Sequence, residues 1–151
     1  IIVCQRPGIK DTRPLRLPLK KLLPEVDALT IHCPLTKDTQ NLIGIEELKL
    51  MKNSAILINT ARGGIVDEDA LLVALREREI FAAGIDVLSV EPPKEGNSLI
   101  HSGLDNLIVT PHIAWASLPA RQRLIDEIAE NIRWFMRGKL RNSVLPDESL
   151  Y

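Results

Sequence analysis

Short apolar runs alternate with amphipathic stretches along the chain. Five runs begin 26 or 27 residues apart, at 1–4, 28–33, 55–59, 81–87 and 107–110. Each is apolar throughout rather than alternating, which predicts strands that are covered on both faces. Strands that alternate with helices indicate βα units with right-handed crossovers, a parallel sheet and therefore an α/β fold. Because the units share no repeated signature, a solenoid is not expected.

Helical patterns lie between these runs and after the last one. Asp67 suits the N-cap of a helix whose first turn carries Glu68 and Asp69. Shorter helices are predicted at 17–23 and 45–51. A long terminal helix is predicted over 117–138, with Ser117 as its cap and Gly138 as its stop.

The composition is typical of one soluble globular domain. The chain has 151 residues, of which 45% are hydrophobic and 26% charged, and its net charge is −1. This balance predicts no nucleic-acid or membrane partner, and no apolar stretch approaches the ~20 residues of a membrane span. The first residues lack a signal-peptide pattern. Cys4 and Cys33 are expected to be buried free thiols in a reducing, cytoplasmic compartment, and no metal site is predicted because neither has a CxxC partner.

A glycine turn follows the third apolar run and presents one arginine, Arg62. Glu91 and His112 lie at similar strand ends further along the chain. The carboxyl ends of parallel strands form the ligand-binding edge of open α/β sheets, so we predict that these three residues form one active site. None of the eight glycines belongs to the G-x-G-x-x-G turn with which a dinucleotide-binding domain normally starts.

Several motifs, taken in order, are similar to those of one family. They are the segments 29–36, 51–64, 83–87, 91–92 and 110–112, which read LTIHCPLT, MKNSAILINTARGG, AGIDV, EP and TPH. Through these motifs nearly the whole chain resembles the D-isomer-specific 2-hydroxyacid dehydrogenases. The segment 112–117, HIAWAS, looks most like that of the bacterial glycerate dehydrogenases, or hydroxypyruvate reductases, within this family.

The resemblance implies an incomplete Rossmann-type parallel sheet that lacks its first strand and glycine fingerprint and ends in a long C-terminal helix. Residues 1–151 would be the C-terminal part of the dinucleotide-binding domain, and the substrate domain would lie outside this chain. Because the first strand is central in the order 3-2-1-4-5-6, the sheet is expected to divide where that strand is absent. We expect this chain alone to be inactive, the missing N-terminal portion of the same protein to complete it, and the whole protein to form a homodimer.

The resemblance also implies a reaction, in which NADH or NADPH reduces a small 2-keto acid such as hydroxypyruvate or glyoxylate to a D-2-hydroxy acid. Arg62 would bind the substrate carboxylate through two parallel N–H donors and polarise the carbonyl. His112 would transfer the proton, and Glu91 would fix the tautomer of His112 and keep it protonated. From the residues alone, Arg62 could instead pair with a surface carboxylate, and Glu91 and His112 could be ordinary loop residues.

The residues that would contact the NAD or NADP cofactor lie near the predicted strand ends: Gln5, Arg6, Cys33, Pro34, Thr60, Ala61, Arg62, Asp86, His112 and Ala114. Asp86 is expected to face the nicotinamide amide, although Asp86 could be a turn cap and Thr60 a simple strand-end residue. Gln5 takes the place of the usual acid that binds the ribose 2′-hydroxyl, and Arg6 follows it, so NADP is an alternative to NAD. Trp115 could wall the substrate pocket or pack between domains.

Two other interpretations of function stay open. Relatives with this fold can act as NAD-sensing corepressors that bind other proteins, and a truncated chain would have no activity. Turnover of hydroxypyruvate by the full-length protein separates the enzyme from both. Among residues outside the predicted site, His32 is expected to be a hydrogen-bonded structural residue, whereas His101 and Glu95 are expected to be exposed.

Overall fold

The computed structural model describes residues 1–5 and 16–144. The chain divides into two compact units, Ile1–Ile113 and Ala114–Tyr151. The predicted Arg6 lies outside the described residues.

The first unit contains two parallel sheets. The smaller sheet pairs β1 (Val3–Cys4) with β2 (Arg16–Leu17). The larger sheet has the order β3 (Ala28–Ile31), β4 (Ile56–Asn59), β5 (Ala82–Ile85) and β6 (Leu107–Val109), with every pair parallel. Among the described strands no ladder joins the two sheets, and a division is expected of a doubly wound sheet without its central strand. Its place differs from the expectation, because the run 28–33 belongs to the larger sheet and the first run pairs with β2 instead.

The helices of the first unit are short and follow the strands. They are α1 (Leu19–Leu22), a 3₁₀ turn at Leu23–Glu25, α2 (Ile45–Lys49) and α3 (Glu68–Arg76). Asp67 caps α3 as predicted, because its side chain accepts a hydrogen bond from the Ala70 N–H at 3.0 Å. The helix predicted at 17–23 is wrong at its start, since Leu17 pairs with Cys4 in the smaller sheet and Pro18 follows as the cap of α1.

The core of the first unit lies on one face of the larger sheet. Leu48 of α2 and Leu71 of α3 are buried in one cluster with Leu57 of β4 and Ile85 of β5. The opposite face is exposed, with Ile108 at 69% of its maximal accessible surface. The prediction that all strands are covered on both faces is therefore wrong for the described residues. The physical reason is that α2 and α3 both pack on the same face.

The second unit contains α4 (Leu118–Met136). Ser117 occupies the N-cap position, as predicted, but its side chain makes no capping hydrogen bond. Gly138 adopts a left-handed conformation with φ of +68° and ends the helix as expected. Beyond the helix, the Arg141 guanidinium pairs with Glu127 at 2.7 Å. None of the helices in the described ranges is long and apolar enough to cross a membrane.

Candidate active site

The register of the larger sheet brings four strand ends to one level. Ile31 lies beside Asn59, Asn59 beside Ile85, and Ile85 beside Val109. The residues three positions beyond each of these therefore share one edge of the sheet: Pro34, Arg62, Leu88 and His112. Since neighbouring strands are ~4.8 Å apart, β4 and β6 are about 10 Å apart at this edge. The strand ends of Arg62 and His112 are thus separated by a distance that one small ligand and two side chains can bridge.

Glu91 and His112 form a hydrogen-bonded pair. The Nδ1 atom of His112 lies 2.8 Å from Oε2 of Glu91. The other carboxylate oxygen, Oε1, accepts from the Leu88 N–H at 2.8 Å. Partial burial opposes ionisation of Glu91, but the bonds from Leu88 and His112 outweigh it, and the net effect is a lowered pKa for this carboxyl. An ionised carboxylate on Nδ1 fixes the orientation of the imidazole ring.

The backbone of His112 is held in an uncommon conformation. Its φ is +55°, in the left-handed region that side-chain-bearing residues rarely adopt. The His112 N–H donates to the Asp86 carbonyl at 2.9 Å, and Oδ1 of Asp86 accepts from the Thr110 hydroxyl and from the Ile113 N–H at 2.9 Å. Asp86 is 4% exposed. In the described residues its carboxylate supports the segment that carries His112, and its predicted contact with the nicotinamide stays a prediction.

Asn59 fixes the turn that carries Arg62. Its buried side chain accepts from the Ala61 N–H at 3.1 Å and donates to the Arg62 carbonyl at 3.0 Å. The Arg62 side chain is exposed, and its Nη1 donates to the Ala61 carbonyl at 2.7 Å. In the part of the chain that the structure describes, no carboxylate pairs with Arg62. Among these residues, the alternative of a structural ion pair at Arg62 therefore has no partner.

A cavity of about 580 Å³ adjoins the Glu91–His112 pair. Glu91 and His112 line it together with apolar side chains such as Leu99, Leu104 and Val109. An apolar pocket with a few convergent polar groups is typical of small-molecule sites. The sequence motifs identified the polar pair but gave no sign of this apolar wall.

The other predicted cofactor residues in the first unit lie near strand ends. Thr60 is exposed and Ala61 half-buried directly after β4, whereas Cys33 and Pro34 follow β3. Gln5 follows β1, where its N–H donates to the Leu17 carbonyl at 2.9 Å. Ala114 and Trp115 belong to the second unit. Their contacts with a dinucleotide stay a prediction.

The residues expected to lie outside the site have ordinary surroundings. His101 and Glu95 are exposed, as predicted. His32 is also exposed, just beyond β3, and its Nε2 bonds the Thr30 hydroxyl at 3.0 Å.

Both cysteines are free thiols but half-buried rather than buried, which corrects the prediction. Cys4 ends β1 and Cys33 follows β3. Both strands lie at the edge of a sheet, where neighbouring residues cover only part of the side chain. Burial, with a smaller contribution from Cys33, raises the pKa of the Cys4 thiol. Within residues 1–5 and 16–144, no three His, Cys, Asp or Glu side chains could hold a metal ion.

The sequence analysis assigned no role in the site to four residues that organise this edge. Asn59, Gly63, Glu68 and Asn97 hold the two loops that carry the predicted catalytic side chains. The adjacent glycines at 63 and 64 were the only signal in the sequence, because a glycine can permit a close backbone approach.

Comparisons with known proteins agree with the motifs. Residues 4–114 match a family model described as the NAD-binding domain of D-isomer specific 2-hydroxyacid dehydrogenases. A glycerate dehydrogenase of Methylorubrum extorquens is 56% identical over 126 residues, which cover 83% of this chain and 40% of that protein. The chain therefore spans about 40% of the length of this curated relative.

Solved structures show the same fold. An acyclic imino acid reductase in complex with NADPH and D-Arg is similar with a TM-score of 0.78 and 32% identity, over 96% of this chain and 46% of that one. An NAD-complexed D-isomer specific 2-hydroxyacid dehydrogenase from Lactobacillus delbrueckii ssp. bulgaricus has a TM-score of 0.77 and 29% identity, over 95% of this chain and 47% of that one.

Proposed function

Because the chain belongs to the D-isomer specific 2-hydroxyacid dehydrogenase family, in its NAD-binding domain, we propose that it carries the catalytic edge of a 2-keto acid reductase. The substrate would be a small 2-keto acid such as hydroxypyruvate or glyoxylate, and the product a D-2-hydroxy acid. The observation that carries this proposal is the Glu91–His112 pair at 2.8 Å, placed two strands from Arg62 on one sheet edge.

The exposed edge beyond β3 to β6 fits an extended dinucleotide. Four strand ends lie in a row about 14 Å long, with the exposed Thr60 near its middle. Pro34 and Cys33 would border the adenosine half, and Thr60, Ala61 and Asp86 would lie along the rest. Gln5 and Arg6 would decide between NAD and NADP. When bound, the nicotinamide supplies the hydride.

The residues of this chain supply position and charge. Arg62 binds the substrate carboxylate with parallel N–H donors, which turns the carbonyl toward His112. His112 gives a proton to the carbonyl oxygen through Nε2, the ring nitrogen opposite the one that bonds Glu91. The ionised Glu91 stabilises the protonated imidazole before this step.

The test is a steady-state assay of the full-length protein with hydroxypyruvate and glyoxylate, each with NADH and with NADPH. The proposal expects turnover that depends on the 2-keto acid, with D-glycerate as the product from hydroxypyruvate. Absence of turnover, together with binding of NADH, would favour the NAD-sensing module instead. Absence of both would favour an inactive chain.

The division into two sheets and the coverage of about 40% of a relative support a wider proposal about the whole protein. We infer that the chain is the C-terminal part of a dinucleotide-binding domain. An N-terminal portion of the same protein would supply the central strand and the substrate domain, and the whole would form a homodimer in the cytoplasm. The intact mass of the purified polypeptide tests whether the N-terminal portion is present. A mass near 16.9 kDa would contradict its presence, and about twice that mass would support it.

A further inference from the structure

The loop after β5 carries Glu91, and its conformation decides where the carboxylate meets His112. Glu91 folds back on its own loop, because one oxygen accepts from the Leu88 N–H at 2.8 Å while the other bonds His112 at 2.8 Å. The position of the Glu91 carboxylate therefore depends on where the Leu88 N–H is held, and this N–H belongs to the residue that also forms the next peptide, between Leu88 and Ser89.

Glu68, the first residue of α3, bonds this loop at two points. Its Oε1 accepts from the Ser89 N–H at 2.6 Å, and its Oε2 accepts from the Asn97 side-chain amide at 2.6 Å. Asn97 is itself oriented, because its Oδ1 accepts from the Leu99 N–H at 2.9 Å. One carboxylate thus ties together the two ends of the loop 89–97.

Helix capping does not explain the direction of the Glu68 side chain. Asp67 already caps α3 through the Ala70 N–H at 3.0 Å. The next residue, Asp69, is an exposed acid in the same first turn, and an acid there is favoured by the helix dipole whichever way it points. The two bonds from Glu68 to the loop are therefore additional to what starts the helix.

The same loop peptide also touches the turn that carries Arg62. A Cβ atom at Gly63 would lie 1.8 Å from the Leu88 carbonyl oxygen and 2.6 Å from the Ser89 nitrogen, so the two backbones are in direct contact. The Leu88–Ser89 peptide is consequently the point that links the position of Arg62 to that of the Glu91–His112 pair.

We propose that Glu68 is a positioning residue: by holding the Ser89 N–H and Asn97, it keeps the Glu91–His112 pair in register with Arg62. This inference rests on the proposed function, because the register affects the rate only if one substrate bridges Arg62 and His112. A displacement of ~1 Å at a reacting group can cost about 100-fold in rate.

The first experiment compares Glu68→Ala with the matched control Asp69→Ala in the full-length protein. We expect Glu68→Ala to lower kcat with hydroxypyruvate about 10- to 100-fold, whereas the control stays near the wild type. The KM for NADH should change little, since neither residue is placed against the cofactor.

A second readout does not depend on activity. The carboxyl resonance of Glu91 can be followed against pH in protein labelled at glutamate and assigned with Glu91→Gln. Burial raises the pKa of Glu91, and the bonds from Leu88 and His112 lower it to a greater extent. Glu68→Ala loosens the Leu88–Ser89 peptide and, through Leu88, the N–H that bonds Glu91. The pKa of Glu91 should therefore rise toward its ordinary value, whereas Asp69→Ala should leave it unchanged.

A pair of exchanged side chains tests the hydrogen bonds themselves and guards against a misfolded Glu68→Ala variant. Glu68→Gln keeps an acceptor for the Ser89 N–H but sets its amide N–H₂ against that of Asn97. When Asn97→Asp is added, the new amide at position 68 donates to the new carboxylate at position 97. That carboxylate still accepts from the Leu99 N–H. The double variant should therefore recover most of the kcat that Glu68→Gln loses.

The outcomes separate the inference from the function it rests on. The inference is overturned if Glu68→Ala matches Asp69→Ala in both kcat and the Glu91 titration, or if the double variant recovers nothing. If the wild type turns over no 2-keto acid, the proposed function fails. The Glu91 titration then decides alone whether Glu68 holds this loop.

Discussion

Replacing Gly63 by alanine should separate the two halves of the candidate site. The added Cβ would lie 1.8 Å from the Leu88 carbonyl oxygen and 2.0 Å from its carbonyl carbon, whereas an ordinary contact is 3.4 Å or more. Both atoms belong to the backbone, so no side chain can rotate away. The turn of Arg62 and the loop of Glu91 must then move apart by about 1.6 Å.

A shift of that size is large for a catalytic site. Overpacking of this kind costs about 1–3 kcal/mol of stability, and a misplacement of ~1 Å can cost about 100-fold in rate. We therefore expect Gly63→Ala to lower kcat/KM for hydroxypyruvate about 100-fold and to lower Tm. Steady-state assays and thermal unfolding of the full-length protein measure the two effects.

Gly44→Ala is the matched control for this substitution. A Cβ there would meet its nearest atom, Oε2 of Glu47, at 3.6 Å, which is an ordinary contact. It should keep kcat/KM near that of the wild type. If Gly63→Ala also kept full activity, the direct contact between the Arg62 turn and the Glu91 loop would have no catalytic role, and the reasoning would be refuted.

Two further predictions concern the charged side chains. Arg62→Lys should lower kcat/KM for hydroxypyruvate about 100-fold in steady-state assays, because an ammonium cannot offer two parallel donors; unchanged kinetics would contradict this. Glu91 has a lowered pKa in the folded protein, so its contribution to stability is present above the unfolded pKa and is lost as pH falls through the folded pKa. In urea unfolding, the wild type should thus exceed Glu91→Gln in stability at neutral pH, and the difference should shrink on acidification. The exposed Glu95→Gln serves as the control, and a difference that grows on acidification would be the opposite result.

The sequence predicted most of the larger sheet, because its signals are local. Four apolar runs became β3 to β6, and the cap at Asp67 and the stop at Gly138 lie where expected. The short strand β2 (Arg16–Leu17) was missed because two residues carry no periodic pattern, and their pairing depends on β1. The prediction that the strands are covered on both faces was also wrong. An apolar run does not show on which face of the sheet the helices pack.

Only part of the site could be predicted, because only part of it depends on local sequence. Arg62, Glu91 and His112 could be placed at strand ends, and the pairing of Glu91 with His112 is confirmed by the 2.8 Å contact. The bonds from Glu68 to residues 21 and 29 positions away could not be predicted, because they depend on the path of a loop in space.

The proposed reaction is the reduction of a 2-keto acid by NADH at one edge of the larger sheet, with His112 as the proton donor. The most direct measurement is hydroxypyruvate-dependent oxidation of NADH by the full-length protein and by His112→Gln, alongside the Kd for NADH of each. We expect turnover by the wild type and a loss of about 100-fold or more in kcat for His112→Gln, with a similar Kd. Turnover by His112→Gln at the rate of the wild type, or none by a wild type that binds NADH, would contradict it.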